Sequence, residues 1–298
     1  MSITLEHVAY VYMPGTPFEH QALSDISAVI EEGSLTAIAG HTGSGKSTLL
    51  QQFNGLLQPT AGRVLVDDVD INPKAKKDRA AARAMRLKVG MVFQYAEQQL
   101  FEETIEKDIA FGPKSLGLSE EETVERVKEA MRLMHLDYET YRKRSPLALS
   151  GGQMRRVAIA GVLALRPKYL VLDEPVAGLD PRGREELVKT IRHLHDREHV
   201  TIILVSHNMD DIARLADHVL IMNQGRLVCD ASPREAFAQE NLLEGAGLKL
   251  PHVMALMKEL RAKGLPVRMD CLTIEEAKRE ILNVLKAVKG KGGKKHAQ

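Results

Sequence analysis

The stretch Gly40-His41-Thr42-Gly43-Ser44-Gly45-Lys46-Ser47-Thr48 carries the most specific chemistry in this 298-residue chain. It fits the G-x-x-x-x-G-K-[ST] phosphate-binding loop. It also stands between an apolar run, Leu35 to Ala39, and a helical pattern, Lys46 to Leu57, which is the strand-to-helix setting the loop requires. Glycines without a Cβ let the backbone fold tightly around an anion, aiming consecutive N–H groups and the positive end of the next helix at phosphates. Lys46 then meets β- and γ-phosphates, and Ser47 ligates magnesium. A second stretch, Tyr169-Leu170-Val171-Leu172-Asp173-Glu174, is an apolar strand ending in two adjacent carboxylates. Beside a phosphate loop, Asp173 holds magnesium, usually through water, and Glu174 orients and polarises an attacking water. A third, Leu149-Ser150-Gly151-Gly152-Gln153, is another Gly-rich anion site leading into a helix, Met154 to Leu165. One nucleotide rarely needs two such helix ends from one chain.

The elements that must hold these residues follow from periodicity. Ile3 to Tyr12 alternates in hydrophobicity and breaks at Pro14-Gly15-Thr16-Pro17, a strand running into a turn. Leu23 to Ile30 reads as a second strand, Gly62 to Val66 as another, and Val89 to Phe93 as one closing on Gln94. From about 95 to 165 the rhythm becomes all-helical, with Ser119 and Glu122 forming a capping box, so a helical subdomain is inserted into an α/β core. The core resumes at Tyr169 to Leu172 and at Thr201 to Val205, β-branched and leucine-rich runs typical of buried parallel strands. A hairpin at Asn223-Gln224-Gly225 follows. Beyond Ser232-Pro233-Arg234-Glu235, residues 236–289 read as a helical appendage. Pro251 opens one helix and Gly264 closes it, with Val253, Leu256, Met257 and Leu260 on a common side. Thr273 and Glu276 cap another, with a stripe of Ile274, Ala277, Ile281, Val284, Leu285 and Val288. These stripes pack either on their own domain or on another subunit. Residues 290–298, with Lys291, Lys294 and Lys295 among glycines, read as a disordered basic tail.

Composition excludes several classes. With 41 Lys and Arg against 40 Asp and Glu, the chain is no general polyanion binder, and nucleic acid is not an expected partner. The basic run Lys74, Lys76, Lys77, Arg79, Arg83, Arg86 and Lys88 is read as a solvated helix face, with lipid headgroups or a partner as the alternative. Two cysteines, Cys229 and Cys271, form neither a metal spacing nor a disulfide framework, which points to a reducing compartment. Glu6 and His7 interrupt any leading apolar run, so no cleavable signal is expected. No apolar stretch is long enough to span a bilayer.

Taken in order, these motifs resemble the ATP-binding cassette ATPases over about residues 3 to 235. The stretch 149–153 reproduces that family's signature, Gln94 falls at the Q-loop, Ala177-Gly178-Leu179-Asp180 at the D-loop, and His207 at the switch. The resemblance implies an α/β phosphate-loop core with an antiparallel β subdomain, an inserted helical subdomain, and ATP and Mg2+ as cofactors. It implies a head-to-tail dimer, in which Ser150, Gly151, Gly152 and Gln153 of one subunit close over the nucleotide of the other. Gln94 then links the magnesium site to the helical subdomain, and His207 contacts the γ-phosphate. Tyr12 is the candidate to stack on adenine, with Phe18 its competitor because the turn between them is long.

A narrower resemblance lies in Tyr95-Ala96-Glu97-Gln98-Gln99-Leu100-Phe101 and Asp108-Ile109-Ala110-Phe111-Gly112-Pro113. These are similar to the ATPase subunits of energy-coupling-factor transporters, importers of vitamins and of cobalt or nickel ions. Pro14 to Glu19 and Gly247-Leu248-Lys249-Leu250-Pro251 resemble the second of that group's two paired ATPases. This implies a heterodimer, with a homodimer as the alternative, at the cytoplasmic face of the cell membrane. It also implies a separate cargo-binding membrane component and a transmembrane coupling subunit docked near Gln94 to Phe101, where Leu100 and Phe101 either line a groove or pack in the core. A soluble cassette ATPase acting on DNA or ribosomes is disfavoured: only 103 residues separate Lys46 from Ser150, too few for the long coiled coil of the DNA-repair members, and the translation-associated members usually carry two cassettes in one chain where this sequence shows one. A nucleotide-binding subunit with one silent composite site is the remaining alternative.

Overall fold

The computed structural model describes residues 1–73 and 76–292. Lys74 of the basic run and the end of the expected tail, residues 293–298, lie outside the described residues. Its strands are β1 (Ser2–Tyr12), β2 (His20–Glu31), β3 (Leu35–Ala39), β4 (Ala61–Val66), β5 (Val69–Asp70), β6 (Val89–Val92), β7 (Tyr169–Asp173), β8 (Thr201–Val205), β9 (His218–Asn223) and β10 (Arg226–Ala231). They form two sheets. An antiparallel sheet has the order β2-β1-β4-β5, and a larger sheet the order β10-β9-β3-β8-β7-β6. In the larger sheet β9, β3, β8, β7 and β6 run parallel and β10 returns antiparallel as an edge hairpin.

The three central strands β3, β8 and β7 are buried at every position. That follows from their sequences, since a parallel strand covered on both faces has no solvent side on which to place polar residues. The layer between the sheets is filled by Ile3, Leu23, Ile26, Ile30, Phe53 and their neighbours. The opposite face of the parallel sheet packs on helices.

Between and after these strands lie α1 (Lys46–Phe53), α2 (Arg79–Arg86), then α3 (Ile105–Ser115), α4 (Glu120–Leu133), α5 (Tyr138–Tyr141) and α6 (Gly151–Leu163) in succession between β6 and β7, and α7 (Pro181–Asp196) and α8 (Met209–Leu215). Helix α1 stops four residues before the expected Leu57. Gly55 turns left-handed at φ +70°, and a Cβ there would lie 2.5 Å from Arg86 Nε, so chain and guanidinium close over each other. The basic run is likewise not wholly solvated. Arg86 donates to Ile71 O and Asn72 Oδ1, and Lys88 pairs with Asp67 at 2.9 Å, while Lys77, Arg79 and Arg83 are exposed.

The C-terminal part holds α9 (Pro233–Ala238), α10 (Glu240–Gly245), α11 (His252–Ala262) and α12 (Ile274–Gly292). Its two stripes divide. Val253, Leu260, Ile281 and Val284 pack around Met257, Val267, Cys271 and Ala277, whereas Leu256, Ile274 and Leu285 are exposed. Met254, rather than Leu256, supplies the second buried contact of α11, because α11 is wedged between the appendage core and the cluster around Phe237. Helix α12 continues to Gly292, past the point where the sequence suggested a tail. Among the described residues no helix is long and apolar enough to cross a membrane.

Candidate active site

The loop after β3 is shaped by what glycine permits. At Gly45, φ is +100°, and a Cβ would sit 2.6 Å from Ala22 O; at Gly40 it would sit 2.5 Å from both Met222 O and Ser44 Oγ. No other residue type fits either position. The β9–β10 hairpin braces the loop from behind, Gly225 N donating to Ser44 O at 3.0 Å. Gly45 caps α1 with no side-chain hydrogen bond, so the N–H groups of its first turn are left for an anion.

A cavity of about 480 Å³ opens over this loop. Gly40, Thr42, Gly43, Gly45, Lys46, Ser47 and Thr48 line it, together with Tyr12, Gln94, Asp173, Glu174 and His207. Strands β7 and β8, adjacent in register from Tyr169–Thr201 to Asp173–Val205, deliver the acidic pair and the histidine to the same rim as the loop. Ser47 Oγ lies 3.5 Å from Asp173 Oδ2. Glu174 is buried and takes a left-handed backbone at φ +49°, and His207 Nδ1 stands 2.8 Å from its Oε1. Lys46 Nζ donates to Gly40 O and His41 O at 2.8 and 2.9 Å.

Electrostatics mark the cavity as a place for a charged guest. Burial lowers the Lys46 pKa, against the opposing pull of Glu174 and Asp173. Burial, and then the neighbouring Glu174, raise that of Asp173 against Lys46 and the Ser47 hydroxyl. Ser44 Oγ is buried without a hydrogen-bond partner. The Lys46 ammonium and the bare helix N–H groups fit a polyphosphate, and the oxygen donors of Ser47, Gln94 and Asp173 fit a hard divalent cation such as Mg2+.

The other candidate residues fall into two groups. His41 does not line the cavity but bonds Asn223 Oδ1 at 3.2 Å, and Ser44 lies beneath the loop. Ser150, Gly151, Gly152, Gln153 and Asp180 stand outside the cavity altogether. Ser150 and Gln153 form the capping box of α6, and Asp180 caps α7 by accepting from Arg182 N and Gly183 N. Tyr12 reaches the cavity, its hydroxyl 3.2 Å from Thr48 Oγ1 and its ring edge-on to Tyr10, whereas Phe18 is 79 % exposed and lines no part of it.

Two residues escaped the sequence reading. His20, at the start of β2, lines the cavity beside Tyr12, and its position after the Pro14–Pro17 turn was the available signal. Arg155 left none: it is buried, and its carboxylate partner Glu97 is 58 residues distant.

Comparison with known proteins gives the family and the fold. Residues 23–177 match the ABC transporter family. The chain is 53 % identical over 284 residues to the energy-coupling factor transporter ATP-binding protein EcfA2 of Clostridium tetani, covering 95 % of this chain and 97 % of that one. To EcfA2 of Clostridium acetobutylicum it is 52 % identical, covering 97 % and 100 %. The solved structure of cbiO1 from Clostridium perfringens, part of the ABC transporter complex cbiONQ, matches with a TM-score of 0.71 at 38 % identity, over 86 % of this chain and 98 % of that chain. A dimeric ATP-binding cassette in a post-hydrolysis state with ADP and Pi matches at 0.67 and 28 % identity, over 78 % and 98 %. A family match across half the chain, joined to identity above half along nearly all of it, means that the chain belongs to the ABC transporter ATPases, among the energy-coupling factor transporter ATP-binding proteins.

Proposed function

We propose that this chain hydrolyses ATP at a site shared between two cassettes, and that the resulting motion drives import of a vitamin or transition-metal ion. The observation that carries this reading is the division of the motifs. Phosphate loop, Asp173, Glu174 and His207 meet at one cavity, while the second anion-binding helix end, at Ser150, lies outside it. A single chain thus holds two complementary half-sites, which a head-to-tail pair completes.

In this reading the loop N–H groups and Lys46 hold the phosphates, and Tyr12 stacks on the base. Ser47, Gln94 and Asp173 would hold Mg2+, which when bound neutralises charge developing on the phosphoryl oxygens. Glu174 takes the proton of the attacking water, oriented by its bond to His207. His207, held beside Glu174, contacts the γ-phosphate. Ser150, Gly151, Gly152 and Gln153 of the second cassette close over that phosphate, with Asp180 at the seam. Loss of the γ-phosphate removes these contacts, and the pair reopens.

The second cassette is a different chain in the arrangement we favour, a homodimer being the other. A transmembrane coupling subunit docks near Gln94 to Phe101. Leu100 packs against the core, but Phe101 is 64 % exposed and meets the exposed Phe111 edge-on at 5.0 Å, an aromatic pair suited to a partner helix. A separate membrane component binds the cargo, and the chain sits peripherally at the cytoplasmic face. Glu174→Gln tests the chemistry: ATP affinity should stay within about twofold while turnover falls about 100-fold or more, the range expected for a lost general base. Phosphate release at the wild-type rate would refute the role of Glu174.

A further inference from the structure

Arg155 has the largest side chain among the fully buried residues, and a buried cation persists only where its charge and donors are met. Here its contacts lead to two stretches, the turn after Gln94 and the turn that begins at Glu174. Nε and Nη2 grip Glu97 bidentately at 2.6 and 2.9 Å. Nη1 donates to Pro175 O at 2.8 Å and to Glu174 O at 3.4 Å, and Nη2 to Ala177 O at 3.3 Å. Arg155 itself stands in the second turn of α6, five residues beyond Ser150. Glu97 sits on the 3-10 turn Ala96–Gln99 that follows Gln94, entered through a left-handed Tyr95 at φ +60°.

The carbonyls Arg155 holds belong to the turn that begins at Glu174, whose backbone is itself left-handed and so needs outside support. Burial works to raise the Glu97 carboxyl, and the bonds from Arg155 outweigh it, keeping it below the ordinary range. The fork is therefore charged on both sides. A guanidinium can bind a carboxylate and carbonyls at once because its donors are fixed in a plane; an ammonium cannot reproduce that arrangement.

We infer that Arg155 is a positioning residue: through Glu97 and the carbonyls of Glu174, Pro175 and Ala177 it ties the turn after Gln94 to the backbone that aims the catalytic carboxylate. Displacement of the 94–99 turn, as when a partner seats beside Phe101, then moves Glu174 directly. This inference rests on the hydrolytic role assigned to Glu174 above, and it adds two residues that line no part of the cavity.

The test uses the full chain in the assembly with which it purifies from membranes, measuring kcat and KM for ATP alongside thermal melting. Glu97→Gln, at a position with one-fifth of its side chain exposed, keeps size and breaks the charge-assisted fork. Arg155→Lys keeps charge and breaks the geometry. Each should lower kcat at least tenfold with KM within twofold of wild type and a melting transition retained. If Arg155→Lys does not fold, Glu97→Gln alone decides. Wild-type kcat in Glu97→Gln, or a change in KM with kcat preserved, would overturn the inference. Glu174→Gln runs in parallel: if it turns over normally the base assignment fails, whereas an inactive Glu174→Gln beside a normal Glu97→Gln sinks only the positioning role.

Discussion

Asp173 pays for its position in stability, because burial and Glu174 both oppose its charge. A carboxyl whose folded pKa lies above the unfolded value favours the fold at acid pH, and that contribution is lost as pH rises through the folded pKa. At neutral pH, with no bound cation, the ionised group is therefore a burden. Asp173→Asn should raise the melting temperature at pH 7 by about 2–4 °C, roughly 1 kcal/mol for a chain of this size, and the gap to wild type should narrow on acidification. The same variant should lose magnesium-dependent hydrolysis. Equal melting curves at pH 7 would show that the neighbouring Lys46 already neutralises the site. At this scale much was legible in advance. Lys46 and Ser47 are recognisable because their motif is contiguous, and Asp173 and Glu174 because they end an apolar run. Arg155 was hidden, since a buried arginine satisfied by main-chain carbonyls leaves no spacing to read. The bond of the Tyr12 hydroxyl to Thr48 was equally invisible.

Among the elements, the turn joining β4 to β5 fastens the antiparallel sheet to the parallel one. Asp67 there is nearly buried and accepts from Lys88, which precedes β6, and from Lys168 and Tyr169 at the start of β7. Burial alone would push its carboxyl up, but these donors hold it down at about 2. Its folded pKa is depressed, so its contribution is present above the unfolded value near 4 and is lost as pH falls through about 2. Asp67→Asn should cost about 2 kcal/mol at neutral pH, and chemical denaturation should show a flatter dependence between about pH 4 and pH 2. An unaltered acid limb would contradict the linkage. Strands β4, β6 and β7 were legible in the sequence, because alternation and buried runs are local signals, whereas β5, two residues long, left no pattern to read. The sequence reading missed the end of α1, which is set by the packing of Arg86 over Gly55, and the burial of Met254 in place of Leu256, which is set by what lies on either side of α11. Both depend on partners distant in sequence.

At the scale of the whole molecule, one exposed face stands ready for a partner. Phe101 and Phe111 keep an aromatic pair exposed beside the turn that Arg155 anchors. Phe101→Ser should leave ATP binding within about twofold and the fold intact, yet reduce recovery of the membrane subunit in detergent pull-downs at least fivefold, since an exposed ring contributes little to stability and much to an interface. Undiminished recovery would move the docking surface elsewhere. The decisive property, however, is the separation on one chain of the cavity at Lys46 from the capped helix end at Ser150. The most direct test is ATP turnover per subunit measured across a dilution series, with the pairing of cassettes followed in parallel by mass photometry. Turnover should fall with the paired fraction and vanish where only single cassettes remain. A constant rate per chain at dilutions where every cassette is alone would contradict the shared site.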